Sequence, residues 1–249
     1  CYSNKGGVGK TATAVNMAYA SAADGKRTLL CDLDPQGASS FYFKVKPSKK
    51  LTLARFFGNE DRFIKAIRES EFENLDVLPA NMTFRDFDVF LSQLKNSHSQ
   101  LKKTLKSVKG DYDVVVLDCP PNLSALSESV FKAADAILVP VIPSPLSART
   151  FEQLVEFFGQ QDLNAKKLLP FFSMVQMIKG LHTDTMSRLL SSYPDQFFKA
   201  MIPFTSDVEK MGVYLEPVIH TAPTGAAALA YQALYDELQT RLQKSGKAD

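Results

Sequence analysis

Short, unbroken apolar runs alternate along this chain with longer segments in which apolar residues recur at helical spacing. The apolar runs predict β-strands at 28–31, 75–78, 114–117 and 136–139, with weaker candidates at 168–175 and 200–202. Because the runs do not alternate apolar with polar residues, we expect both faces of these strands to be covered, as in a parallel sheet. Pro79 and Pro140 are expected to end the second and fourth strands.

Helical patterns occupy the intervals between these runs, and the segment at 83–108 is also rich in lysine. The predicted helices cover residues 11–23, 60–70, 83–108, 123–133, 147–158, 183–191 and 225–243. Alternation of strands and helices predicts βαβ units, and therefore an α/β fold with a doubly wound, mostly parallel sheet flanked by helices. No linker interrupts it, so we predict a single domain over 1–249, with an irregular helical excursion at 41–110 and a frayed tail at 244–249.

Composition and charge narrow the possible functions only a little. The chain has 249 residues, 45% of them hydrophobic, which suits one large domain better than two small ones. Its formal net charge is +2, so the overall charge points neither to nucleic acid nor to a membrane. Any basic binding site must therefore be local.

Cysteine and histidine spacing indicates neither a zinc site nor a disulfide framework, because the three cysteines and the three histidines are scattered along the chain. We expect no signal peptide, and the sequence contains no apolar run of the ~20 residues that a membrane span needs. We therefore expect a reducing, cytoplasmic setting. Only three residues precede the loop described next, although a strand should lead into it, so we expect a few apolar residues to precede Cys1.

The first eleven residues, CYSNKGGVGKT, contain the clearest chemical signal. A phosphate-binding loop reads G-x-x-x-x-G-K-[ST], and its end is matched by Gly9, Lys10 and Thr11. Small residues let backbone N–H groups approach an anion, and the helix that follows points its positive end at the same place. Lys10 would reach the β- and γ-phosphates, and the Thr11 hydroxyl would bind Mg²⁺. Asn4 stands where the first glycine is expected, and a second lysine, Lys5, follows it.

Acidic residues close two of the predicted strands. Asp32 and Asp34 follow the first strand in the sequence DLDPQG, and Asp118 ends the strand VVVL. Ligands of parallel sheets bind at the carboxyl ends of the strands, and a carboxylate at such an end can hold Mg²⁺. These residues are the predicted acidic part of a nucleotide site.

Taken together, KGGVGKT, DLDPQG, VVVLDCPP and AADAILVP resemble the ParA/MinD family of deviant Walker ATPases, and DLDPQG resembles its ParA/Soj branch in particular. The resemblance covers nearly the whole chain. It implies a P-loop NTPase fold, ATP and Mg²⁺ as cofactors, and a homodimer formed with ATP.

The resemblance also implies residue roles. Lys5 would be the signature lysine, which crosses the dimer to the partner's phosphates, and Asp34 would orient or activate the attacking water. Asp32 and Asp118, with Thr11, would lie at Mg²⁺. The nucleotide-binding residues would be Gly6, Gly7, Val8, Gly9, Lys10, Thr11 and Ala12, with Met174, Pro203 and Phe204 at the base. An asparagine often found near the base in the family is Ser173 here.

The resemblance also implies nonspecific DNA binding at the nucleoid. A ParB-like or other partner protein would stimulate slow ATP hydrolysis, and this cycle would position a plasmid, a chromosome or a protein cargo. The chain departs from the family at Phe204 and Asp207, where many members have arginines. The remaining candidates for DNA contact in this half are Lys166, Lys167, Lys179, Arg188, Lys199 and Lys210.

Two alternatives stay open. One is a MinD-like regulator that cycles on membranes, but the tail at 234–249 lacks Phe and Trp and is expected to pack as a core helix rather than insert into a bilayer. The other is a switch that binds only proteins, as an adaptor for polar localisation or a secretion complex.

Overall fold

A computed structural model describes residues 1–48, 50–94 and 97–245. Contacts within the chain define two compact units, each of which is described by itself: 1–16 with 135–249, and 17–134. Helix α1, Lys10–Ala23, contributes its first residues to one unit and the rest to the other. It matches the predicted helix and is followed by Gly25, which has a positive φ of 78°. A single domain over 1–249 stays a prediction.

The sheet of the 17–134 unit has the strand order β2-β3-β1-β4. The strands are β1 Thr28–Asp32, β2 Arg68–Glu69, β3 Leu75–Leu78 and β4 Val114–Asp118. β1 is parallel to both β3 and β4, which confirms the mostly parallel arrangement, and β2 is antiparallel to β3. Every residue of β1 is buried, whereas the first three residues of β4 are only half-buried.

Helices of this unit are short. They are α2 Ala38–Tyr42, α3 Leu53–Gly58, α4 Glu60–Ile64, α5 Phe87–Ser92, α6 Ser97–Lys106 and α7 Ala125–Ala133, with a 3-10 turn at Met82–Asp86. Phe56 packs edge-to-face against Phe63, Phe84 and Phe87, with ring centroids 5.2–5.6 Å apart. These buried rings give the helical excursion a core of its own.

Two predicted helices of the excursion were wrong in extent. The helix at 60–70 ends at Ile64, because Arg68 and Glu69 pair with β3 as an antiparallel edge strand. The helix at 83–108 is divided into the 3-10 turn, α5 and α6, and residues 95–96 lie outside the described part of the chain. α5 buries Phe87 and Leu91, whereas α6 buries Leu101 and packs against α7.

Parallel strands also form the sheet of the other unit. β5, Ile137–Val141, pairs with β6, Leu168–Phe172, and the Tyr2 N–H donates to the Leu138 carbonyl at 3.0 Å. Pro140 was expected to end β5, but it lies inside the strand, opposite Phe171. A proline only removes one ladder donor, and pairing continues where the Ser173 N–H donates to Val141 at 3.0 Å.

The predicted strand at 200–202 is not a regular strand. Its Ile202 N–H donates to the Phe172 carbonyl at 2.9 Å, and beyond it Val175 and Pro203 form an isolated parallel bridge. The chain at 200–203 is therefore aligned beside the end of β6 without forming a ladder.

Helices of this unit cover its sheet. They are α8 Pro145–Gln160, α9 Gly180–Ser192, α10 Ser206–Tyr214, α11 Val218–Thr221 and α12 Ala226–Ser245, with a 3-10 turn at Ala165–Lys167. α12 buries Tyr231 and Leu234 almost completely, as expected for a core helix. Residues 246–249 of the predicted frayed tail lie outside the described part of the chain. None of the described helices is long and apolar enough to cross a membrane.

Candidate functional site

The loop between Ser3 and Lys10 has the backbone that its glycines predict. Gly7 and Gly9 have positive φ angles of 69° and 94°, which L side chains rarely adopt. A Cβ at Gly9 would lie only 3.1 Å from the Ser173 hydroxyl oxygen. Gly6 and Gly7 are exposed, so the backbone N–H groups of this turn can be approached from solvent.

Hydrogen bonds from the Ser173 and Thr13 hydroxyl groups hold the backbone of this loop in place. The Ser173 hydroxyl donates to the Val8 carbonyl at 2.9 Å, and Val8 itself is completely buried. The Thr13 hydroxyl donates to the Gly9 carbonyl at 2.7 Å. Ser173 was noted in the sequence only as a departure from an asparagine near the base. Its role against the loop was missed, because it lies 165 residues away along the chain.

Replacing Ser173 with alanine is expected to lower the free energy of unfolding by about 1–3 kcal/mol, because the buried Val8 carbonyl loses its donor. Ser191 offers a matched control, since its exposed hydroxyl donates to the Ser187 carbonyl at the same 2.9 Å. Ser191→Ala should change stability by less than about 0.5 kcal/mol. Chemical denaturation measures both, and equal effects would contradict the role given to Ser173.

The two lysines of the loop differ in environment. Lys10 is 7% exposed, and its ammonium donates to the Lys5 carbonyl at 2.9 Å. Lys5 is partly exposed at the rim, next to the exposed Gly6. The backbone of Lys5 is thereby held by Lys10, while its side chain is accessible from outside. One lysine is placed to act inside the loop and the other at its edge.

In the 17–134 unit, two buried carboxylates lie at the ends of neighbouring strands. Asp32 ends β1 and is paired in register with Asp118 at the end of β4, and neither is exposed to solvent. The Ser39 hydroxyl donates to Asp118 at 2.6 Å. The Ser40 N–H and hydroxyl donate to Asp32 at 2.8 and 2.6 Å. The sequence predicted both carboxylates, but it gave no signal that distinguishes these serines from ordinary helix-start residues.

Burial, together with the charge of the neighbouring Asp118, raises the pKa of Asp32 to about 7, against the lowering effect of its hydrogen bonds from Ser40. Two desolvated carboxylates side by side repel each other and favour a cation between them. Hard oxygen donors of this kind fit Mg²⁺, which binds through one or two carboxylates and keeps its other positions for water and phosphate. Among the described residues, no three His, Cys, Asp or Glu side chains form a metal cluster.

The turn after β1 presents Asp34. Its carboxylate accepts the Gln36 N–H at 2.9 Å, and its carbonyl accepts the Gly37 N–H at 2.9 Å. Gly37 has a positive φ of 67° and its Cβ position faces Ala80. Asp34 is only partly buried, so its carboxylate is available to a water molecule.

The residues predicted at the base come together in the 1–16/135–249 unit. The Val175 N–H donates to the Ile202 carbonyl and the Phe204 N–H to the Val175 carbonyl, both at 3.0 Å, so the segments at 173–176 and 203–208 lie side by side. Met174 has a positive φ of 55°, and its terminal carbon lies 3.9 Å from the Cβ position of Gly9. Phe204 leaves 52% of its surface exposed.

The six basic residues predicted to contact DNA belong to the same unit but differ in availability. Arg188 pairs with Glu152 at 2.6 Å, and Lys210 pairs with Asp207 at 3.1 Å. Lys166 and Lys167 lie on the 3-10 turn, Lys179 precedes α9, and Lys199 precedes the 200–203 segment. Exposed ion pairs of this kind contribute about 0–1 kcal/mol, so the acidic partners of Arg188 and Lys210 reduce their availability for DNA phosphates only slightly.

A protein-family model and two relatives of known name each match most of this chain. A protein-family model described as an AAA domain, AAA_31, matches residues 1–170. The sporulation initiation inhibitor protein Soj of Bacillus subtilis is 29% identical over 239 residues, covering 94% of each chain. The chromosome partitioning protein ParA of Caulobacter vibrioides is 29% identical, covering 95% of this chain and 91% of its own.

Solved structures share the fold. Cobyrinic acid a,c-diamide synthase from Mycobacterium smegmatis, with bound ADP and magnesium, has a TM-score of 0.79 at 27% identity, covering 98% of this chain and 94% of its own. The ATP complex of Cyanothece McdA(D38A) has a TM-score of 0.80 at 17% identity, covering 97% and 94%. This second likeness concerns the fold alone.

Proposed function

Because this chain belongs to the ParA/Soj family of P-loop ATPases, we propose that it is an ATP-dependent dimerising ATPase that positions or segregates a cargo. The observation that carries the proposal is the loop with two lysines in different environments, Lys10 buried and Lys5 at the rim. A P-loop that only hydrolyses nucleotide needs the first lysine and not the second.

ATP and Mg²⁺ are the cofactors, and ATP supplies the phosphoanhydride bond that is hydrolysed. Lys10 and the backbone from Gly6 to Gly9 hold the phosphates, with Ala12 at the start of α1 beside them. By the family resemblance, Thr11, Asp32 and Asp118 would hold Mg²⁺, which would neutralise phosphate charge during hydrolysis.

Lys5 acts on the partner's nucleotide. A cation supplied across an interface neutralises charge that develops on the transferred phosphoryl group, as an arginine finger does, and is worth ~10³–10⁵ in rate. Dimerisation then depends on ATP, because two lysines brought to an interface without the anion would be unpaired. Asp34 orients the attacking water with its accessible carboxylate.

The base is held between the segments at 173–176 and 203–208, with Met174, Pro203 and Phe204 in contact with it. The hydrogen bonds that join these segments support this role, since they keep both in place before a ligand binds. The exposed ring of Phe204 is available to pack against the planar base.

The proposed cellular role of the ATPase is to set the position of a cargo. The ATP dimer binds nucleoid DNA without sequence preference, and a partner protein stimulates hydrolysis and releases it. A relative that is a chromosome partitioning protein supports the positional role. About four phosphate contacts in the dimer would give a salt slope near −3.6, so affinity falls ~100-fold between 50 and 200 mM salt. Such weak, dimer-dependent binding suits a nucleotide-gated switch.

In the presence of ATP and Mg²⁺, the Asp34→Ala variant is expected to remain a dimer bound to DNA. Without Asp34, the attacking water molecule is no longer oriented for hydrolysis. Random-sequence duplex should bind with ATP but not with ADP, with a log–log salt slope near −3 to −4. Fluorescence anisotropy over a salt titration measures this. A variant that dimerises but binds no DNA at 50 mM salt would end the nucleoid part of the proposal.

A switch that binds only proteins is the second candidate. It is favoured by the ion pairs Arg188–Glu152 and Lys210–Asp207, which engage two of the basic residues predicted for DNA. The DNA experiment above separates the two candidates, since an adaptor would dimerise with ATP and ignore the duplex.

A further inference from the structure

Helix α6 has two different faces. Leu101 and Thr104 are buried, whereas Lys102, Lys103 and Lys106 are exposed. The helical path continues past α6, because the Lys109 N–H donates to the Lys106 carbonyl at 3.3 Å, and Lys109 is also exposed. These four residues are called the α6 lysine face.

The α6 lysine face carries a local excess of positive charge. Within the described residues, no acidic side chain forms an ion pair with any of its four lysines. Of the two acids that follow the face, Asp111 is exposed and Asp113 forms an ion pair with Arg27 at 2.9 Å. Helix α7 packs against α6 and ends with an exposed lysine, Lys132. This local excess contrasts with a chain whose formal net charge is only +2.

We propose that the α6 lysine face binds the phosphate backbone of duplex DNA. The inference rests on the proposed function and assigns its DNA contact to residues outside the set that the sequence favoured. Lys102 to Lys109 span about 10 Å at 1.5 Å per residue. Each strand of duplex DNA carries one phosphate charge per ~3.4 Å of axis, so this length faces about three phosphates of one strand.

Side-chain chemistry explains why this contact ignores sequence. A lysine ammonium is a point charge on a flexible stem, so it contacts phosphates without reading a base edge. The apolar side of α6 is packed inside its unit, and Leu101 and Val108 are fully buried. Leu105, beside the face, is half-buried, so α6 presents ammonium groups without a fully exposed apolar side chain to insert into a bilayer, which favours DNA over a membrane surface.

Changing all four lysines to glutamine should abolish most DNA binding, because each lost phosphate contact lowers the salt slope by about 0.9. Binding of a random-sequence duplex is measured with ATP and Mg²⁺ between about 50 and 200 mM salt. We expect affinity at the lowest salt to fall at least about tenfold and the slope to flatten by about 3, because most of the dimer's roughly four phosphate contacts, two from each protomer, are lost. The corresponding Lys→Arg variant keeps the charge and should bind as the wild type does.

A comparison variant carries the same loss of charge at exposed lysines to which no DNA contact is assigned: Lys46, Lys50, Lys65 and Lys244 to glutamine. It should retain clearly more affinity than the α6 variant. Because the two variants lose the same net charge, such a difference reports the position of the lysines and not the overall charge. Thermal unfolding and ATP-dependent dimerisation of each variant confirm that the fold is intact. Equal losses would show an effect of net charge and overturn the inference.

The other outcomes are equally decisive. An α6 variant that binds like the wild type overturns the inference and leaves the proposed function standing. A wild-type ATP dimer that binds no duplex overturns both the inference and the nucleoid part of the proposed function. Binding to phosphatidylserine vesicles without binding to DNA would likewise overturn the inference and point to a membrane surface.

Discussion

Alanine in place of Lys10 is expected to weaken ATP binding by about a hundredfold or more. The Lys10 ammonium is nearly buried in the loop, and hydrogen bonds between charged groups contribute about 1.5–3 kcal/mol each. Losing contacts to two phosphates therefore removes about 3 kcal/mol or more, which corresponds to a factor above 10² in Kd. Titration with a fluorescent ATP analogue in the presence of Mg²⁺ measures the change.

Lys10→Met is the companion variant, since it keeps the length and the apolar stem of the side chain and removes only the charge. Both variants should lose binding, and their unfolding transitions show whether the loop still folds without the bond from Lys10 to the Lys5 carbonyl at 2.9 Å. If Lys10→Ala bound ATP as tightly as the wild type, the phosphate-loop interpretation would fail, and the proposed ATPase with it.

Alanine in place of Lys5 is expected to behave differently: ATP binding is retained within a few-fold, while ATP-dependent dimerisation and hydrolysis are lost. The backbone of Lys5 stays fixed by Lys10, so the phosphate site keeps its shape, but the accessible ammonium is gone. The expected loss in rate is ~10³–10⁵, as for other cations supplied across an interface. Steady-state phosphate release and size-exclusion chromatography with ATP measure the two losses.

Mixing two inactive variants tests whether Lys5 acts in the partner's site. In a mixed dimer, the Lys5→Ala protomer keeps Asp34 and receives Lys5 from an Asp34→Ala partner, so one of the two sites is complete. Hydrolysis should therefore reappear on mixing, although each variant alone is inactive. If Lys5 acted within its own chain, no mixed dimer would contain a complete site, and the mixture would stay inactive.

Local sequence was sufficient for the loop and for the acidic strand ends. Glycines at 7 and 9 were needed because those positions have positive φ, and apolar runs led directly to Asp32 and Asp118. Both features depend on residues that are neighbours in the chain. Parallel register between β1 and β4 then placed the two carboxylates side by side, as strand ends of one sheet require.

The helical excursion at 41–110 was predicted less accurately than the loop and the acidic strand ends. The pattern at 60–70 fits a helix, yet Arg68 and Glu69 form an antiparallel edge strand on β3. Apolar spacing reports which side chains are buried, but it does not report which strand offers a free edge. A partner elsewhere in the chain decided the outcome.

The sequence by itself thus determined the phosphate loop, the acidic strand ends and the family, because each is encoded in a short contiguous motif. Only the tertiary structure placed Ser173 against Val8, set Ser39 and Ser40 against the carboxylates, and left the α6 lysine face exposed. The physical reason is that burial and hydrogen-bond partners depend on contacts between residues far apart in the chain, which become defined only when the helices and strands pack together.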